Sequence, residues 1–252
     1  MSALTITLIT FGGMFGGALL GLFLRTLLPQ HHLSSESSET VKLGAGIVAT
    51  MAALVLGVLI GSAKTSFDDM NTEITKVGAS VIQLDRVLAR YGVESKEIRD
   101  MIRGTLVTTI NANWPEEMSR TQLEAIEKSN KMETIQIRIM ELTPRSDTER
   151  LIQSQALQIS SDLAQIRWML IEQQHKSLPT VFLVVLGFWL SMLFMSFGLF
   201  ANRNATVITV VGISACSVST ALFLILEMND PLQGMIRVPS APLFKALDLI
   251  GK

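Results

Sequence analysis

The stretch LGAGIVATMAALVLGVLIGSA, residues 43–63, runs without a charge from Lys42 to Lys64. A helix needs roughly 20 apolar residues to cross about 30 Å of hydrocarbon, so this stretch reads as a membrane span. The next residues, KTSFDDMNTEITKVGASVIQLDRVLARYG (64–92), change character at once. Charges appear throughout, and Phe67, Met70, Ile74, Val77, Val81, Leu84 and Leu88 recur at alternating steps of three and four residues. That spacing is the seam of a helix packed against another helix. No proline separates the two stretches. Together they predict one long helix that leaves the membrane and continues to about Arg90, ended by Gly92 in the C-cap position.

Three more windows pass the same test. Residues 1–24 carry no charge before Arg25, residues 177–202 lie between Lys176 and Arg203, and residues 204–226 lie between Arg203 and Glu227. The expected fold is all-α: four transmembrane helices with a helical cytoplasmic domain inserted between helices two and three. A first hairpin covers 1–64, with spans at about 3–27 and 43–63. The helical domain covers 65–176, a second hairpin covers 177–228 with spans at about 179–201 and 205–226, and 229–252 form a cytoplasmic tail. The N-terminus lacks a basic region before its apolar stretch, so it reads as a retained first span with the mature chain beginning near Met1. Composition agrees with a membrane protein: 48% of residues are hydrophobic, 17% are charged, and mean hydropathy is +0.41.

Within the inserted domain, Ser95 is expected to cap a helix bearing Ile98, Ile102, Leu106 and Ile110, which stops before Asn113-Trp114-Pro115. A shorter helix is expected near 119–132. After Pro144, another seam of Ile152, Ile159, Leu163, Ile166 and Leu170 predicts a helix returning toward span three near Pro179. Asp85 and Arg86 read as structural, capping or bridging helices of this domain.

Basic residues favour the cytoplasmic side. Arg25, Lys42 and Arg203 fall on the loop side, while the other Lys and Arg lie in the helical domain and the tail. The domain and both termini are therefore expected in the cytoplasm.

Span two carries a second pattern. Ala45, Ala49, Ala53, Gly57 and Gly61 recur every fourth residue, and small residues let another backbone approach closely. Span one repeats the device with Gly13, Gly17 and Gly21. These rows serve packing between spans one and two or between subunits. In the functional reading, span-two helices of several subunits surround a pore, and Ile47, Met51, Val55, Leu59 or their neighbours form a hydrophobic constriction that gates by dewetting.

No span holds an ionisable residue in its interior, which argues against a proton relay or an ion-coupled carrier, whereas a passive pore needs none. Ser214, Ser217 and Thr220 give span four a mildly polar row suited to interhelical hydrogen bonds. Acids cluster where the chain meets the cytoplasm: Asp68 and Asp69 after span two, Glu227 and Asp230 after span four. They are either solvated carboxylates or, in a ring of subunits, a calcium site or cation-attracting vestibule. Arg25, Lys42 and Arg203, with His31 and His32, either attract anions to an outer mouth or snorkel to lipid phosphates.

Several functions are excluded or disfavoured. Net charge is -1, so no basic excess suggests nucleic acid. Cys216 is the only cysteine, so there is no intramolecular disulfide and no zinc cluster; it reads as a small buried residue. His175 stands alone and reads as an exposed polar residue. No GxSxG, phosphate-binding glycine loop or HExxH occurs. No enzyme activity, cofactor or resident metal is expected.

Three segments carry a resemblance: LDRVLARYG (84–92), SFGLFANRNAT (196–206), and LILEM (224–228) followed by SAPL (240–243). In order and spacing they resemble the bestrophin-like family of bacterial four-span membrane proteins, long described as a domain of unknown function. The family's pattern has an aspartate where this chain has Asn229, followed by a basic or small residue where it has Asp230. The resemblance implies an architecture like that of bestrophins, which are oligomeric, calcium-regulated anion channels with helical cytosolic regions. The expected function is a homo-oligomeric ion channel of the bacterial inner membrane, partnered by the bilayer, its own copies and permeant inorganic ions. The resemblance leans toward anions and the acidic cytoplasmic mouth toward cations. A non-conducting scaffold or sensor is the alternative of another class.

Overall fold

The computed structural model describes residues 2–29, 34–114, 132–174, 180–232 and 234–251. Its elements are α1 (Ala3–Leu27), α2 (Ser35–Tyr91), a 3-10 turn (Val93–Ser95), α3 (Lys96–Asn113), α4 (Met132–Met140), α5 (Asp147–Gln174), α6 (Thr180–Phe200), α7 (Ala205–Met228) and α8 (Ala241–Leu249). Among the described residues there is no strand. Helices α1, α2, α6 and α7 are long and apolar enough to cross a membrane. The expected helix near 119–132 lies outside the described residues except at Met132, where α4 begins.

The chain divides into two compact units. One comprises Met1–Ser66 with Ser177–Asp230, the other Phe67–Lys176 with Pro231–Lys252. Helix α2 contributes its first half to the first unit and its second half to the other.

In the first unit, α1 packs mainly on α6 and less extensively on α7. The glycine row of α1 explains the closeness. A Cβ on Gly13 would lie 2.9 Å from Ser191 Oγ, and one on Gly17 would lie 2.8 Å from the Ser191 carbonyl oxygen. Gly21 meets the Met195 carbonyl in the same way. This row therefore seats span one on span three, a partner that spacing within span one had no means to indicate. Lipid is as apolar as leucine, so such pairs are held by close van der Waals packing. Met14, Ala18, Ala52, Leu59, Leu190 and Phe194 are among the residues buried in this bundle.

In the second unit, the predicted seam of α2 is the core. Met70, Ile74, Val81, Leu84 and Leu88 are buried, with Phe67 and Val77 packed beside them. Helix α3 supplies Ile98, Ile102, Leu106 and Ile110, and α5 supplies Ile159 and Leu163. The C-terminal segment completes this core with Val238, Leu243, Ala246, Leu247 and Ile250.

Gly92 ends α2 with φ of 119°, a conformation that favours glycine. Ser95 does not cap α3 as expected. It lies in the α region, and its buried hydroxyl donates back to the carbonyl oxygens of Leu88 (2.5 Å) and Gly92 (2.8 Å). The carbonyls left open at the end of α2 thus take the hydroxyl that sequence spacing assigned to α3.

Candidate functional site

The three resembling segments each prove to hold an inter-helix junction. In LDRVLARYG, Asp85 is 1% exposed and accepts two bonds from Arg99 of α3, from Nε at 2.7 Å and from Nη2 at 3.0 Å. The same carboxylate accepts from the Gly251 backbone N–H at 3.3 Å. Its partner is Arg99, two helical elements along, and not the adjacent Arg86. The Asp85 hydrogen bond raises the Arg99 pKa above its ordinary value, outweighing the opposing desolvation.

In SFGLFANRNAT, Gly198 receives the Ala18 carbonyl of α1 against its backbone. Arg25, in the last turn of α1, donates to the Ala201 carbonyl and, at 3.1 Å, to Asn202 Oδ1. Asn204 caps α7, accepting from the Val207 N–H at 2.8 Å. One short segment therefore closes α6, fastens α1 and starts α7. In SAPL, the Pro242 carbonyl sits where a Cβ on Gly78 of α2 would come within 2.7 Å. Trp114 adds a further tie to the C-terminal segment, donating Nε1–H to the Val238 carbonyl at 3.0 Å.

The proposed constriction residues do not share one environment. Ile47 and Met51 are exposed, Val55 is half-buried and Leu59 is buried in the bundle. A step of four residues overshoots a turn by about 40°, so a row of every fourth residue winds around a helix. The small-residue row winds likewise: Ala45 and Ala49 pack against the bundle, while Ala53, Gly57 and Gly61 are exposed. The uncovered face instead follows Ile47, Met51, Leu54 and Val58, which are 66%, 51%, 71% and 65% exposed. Leu54 and Val58, neighbours of the named residues, share this face with Ile47 and Met51, and the spacing i, i+4, i+7 and i+11 is the signal that identifies one helix face. A Cβ on Gly57 or Gly61 would meet nothing within 4 Å.

Of the acids after the spans, Asp68, Asp69 and Asp230 are exposed and Glu227 is only 7% exposed. Among the described residues no three His, Cys, Asp or Glu side chains are gathered in a metal-holding group. Of the basic loop residues, Lys42 and Arg203 are exposed, Arg25 is engaged as above, and His31 and His32 lie outside the described residues, as does His175. Span four also departs from expectation. Ser217 and Thr220 donate to the carbonyls of Ile213 and Cys216 within their own helix, both at 2.9 Å, and Cys216 is exposed. A hydroxyl on an exposed face of a spanning helix has its own preceding turn as its nearest acceptor.

Among the described residues, four apolar helices of spanning length, joined to a second helical unit, define an integral membrane protein. A family model described as a Bestrophin-like domain matches residues 12–243, and the chain belongs to that family. No curated protein and no solved structure matches it.

Proposed function

We propose that the protein is a homo-oligomeric ion channel of the bacterial inner membrane, with α2 lining the pore, both termini and the helical unit in the cytoplasm, and anions the favoured ion. The observation that carries this reading is the uncovered face of α2. Of the four spanning helices, its apolar window is the least buried. That face combines large aliphatic side chains, suited to a constriction that gates by dewetting, with Gly57 and Gly61, beside which the space is open. Membership of the Bestrophin-like family supports channel activity and the lean toward anions.

The exposed Asp68 and Asp69 favour a second reading in which the same architecture passes cations. A non-conducting scaffold or sensor would use the uncovered face for assembly alone. Flux through purified protein in liposomes, with chloride and potassium gradients imposed separately, distinguishes the three. The expected result is chloride flux that Gly57→Leu abolishes or alters while the oligomer stays assembled. Silence under varied calcium, pH and membrane tension would overturn the channel, and an intact Gly57→Leu oligomer with unchanged current would remove α2 from the pore.

A further inference from the structure

The second unit holds a partly open cavity of about 450 Å³ whose described wall is built from α2, α3, α4, α5 and the C-terminal segment. That volume falls within the roughly 300–1,000 Å³ of small-molecule sites. Its wall is predominantly aliphatic, with Ile74, Val81, Leu106, Leu163 and Leu243 lining it beside the indole of Trp114. The polar side chains there offer a guest few donors. Thr108, Thr109 and Asn113 each donate back to carbonyls of α3 at 2.9 Å. Water therefore gains few partners along this wall, and the aliphatic side chains lining it lack packed neighbours on that side.

Among the described residues, one charged group breaks the apolar wall. Arg167 of α5 lines the cavity, its side chain is exposed, and it forms no ion pair among the described residues. An aliphatic wall with the Arg167 guanidinium at its margin complements a guest with one anionic head and one apolar tail. A planar carboxylate matches a guanidinium fork in a way that a hydroxyl cannot.

We propose that this cavity binds a single-chain acyl carboxylate, with its tail among the aliphatic residues of α2 and α3 and its carboxylate at Arg167. The site lies wholly within the helical unit, so the inference stands whether or not the spans conduct.

Trp114 provides the readout. In full-length protein in lipid nanodiscs, Trp168→Phe and Trp189→Phe leave Trp114 as the only tryptophan. Titration with 11-bromoundecanoate should quench it saturably, because bromine quenches only on contact. Arg167→Gln, at an exposed position, should weaken binding about tenfold while leaving the melting temperature unchanged. Ala112→Phe, which places a ring at the cavity margin, should remove the saturable phase, and 11-bromoundecanol should bind at least tenfold more weakly than the carboxylate. Quenching that rises linearly without saturating, as for partition into lipid, would overturn the proposal. Equal binding of the alcohol, unaffected by Arg167→Gln, would overturn the assignment to an anion.

Discussion

Gly198 of α6 lies against the carbonyl oxygen of Ala18 in α1, at a separation that no side chain would permit. The contact runs both ways across the pair, since Gly17 and Gly21 of α1 meet the backbone of Ser191 and Met195. Spans one and three are thus held by backbone-to-backbone packing, with Arg25 fastened to Ala201 and Asn202 at one end.

Gly198→Ala is accordingly expected to force these helices apart and to cost about 1–3 kcal/mol, as overpacking of a close interface does. Gly187→Ala, in the same helix but with nothing within 4 Å, is the control and should be neutral. Thermal melting of both variants in one detergent checks this. Equal melting temperatures would show that the close approach carries no stability.

Asp85 and Arg99 should behave as a coupled pair. Removing one partner of a buried pair leaves an uncompensated charge and costs about 3–5 kcal/mol. Arg99 retains partial contact with water, so Asp85→Ala is expected near the lower end of that range. The double variant Asp85→Ala/Arg99→Ala should lose clearly less than the sum of the single variants in denaturant unfolding. Simple additivity would mean that the bidentate geometry contributes nothing beyond each side chain alone.

Tyr91 gives the helical unit an alkaline limit. Its buried hydroxyl has no hydrogen-bond partner among the described residues, and its pKa is raised by burial first, then by Glu149 and Glu94, with Arg145 opposing. The unfolded chain ionises this phenol near pH 10, below the folded value, so the folded state holds the proton more tightly. Stability from this group is complete below about pH 10 and declines as pH rises through the folded pKa. Tyr91→Phe should remove that decline and be neutral or mildly stabilising at pH 7, because it deletes an unsatisfied hydroxyl. Unfolding curves from pH 7 to 11 that superimpose for the two proteins would contradict this.

The contrast between α2 and α1 shows what spacing reveals. The seam from Phe67 to Leu88 was legible because one helix face must be apolar to be buried in water, and α2 buries that face. Within the membrane the same logic fails, since every face is apolar and burial leaves no compositional mark. The row Ile47, Met51, Val55 and Leu59 therefore led from an exposed face into the bundle, and the glycines of α1 gave no hint that their partner was α6.

By itself the sequence determined the four spans, the continuity of α2 into the helical unit and the break at Gly92. Each follows from a local rule: hydrocarbon rejects charge, a helix continues where no proline or glycine interrupts it, and glycine accommodates a positive φ. Only the tertiary structure decided that Asp85 pairs with Arg99, that Pro242 approaches Gly78, that Trp114 bonds to Val238, and that a cavity opens beside Arg167. Three of these are pairings and one is a void, and all depend on residues distant in the chain. Such meetings are set by how helices rotate and pack against one another, which local periodicity constrains to a face and never to a partner.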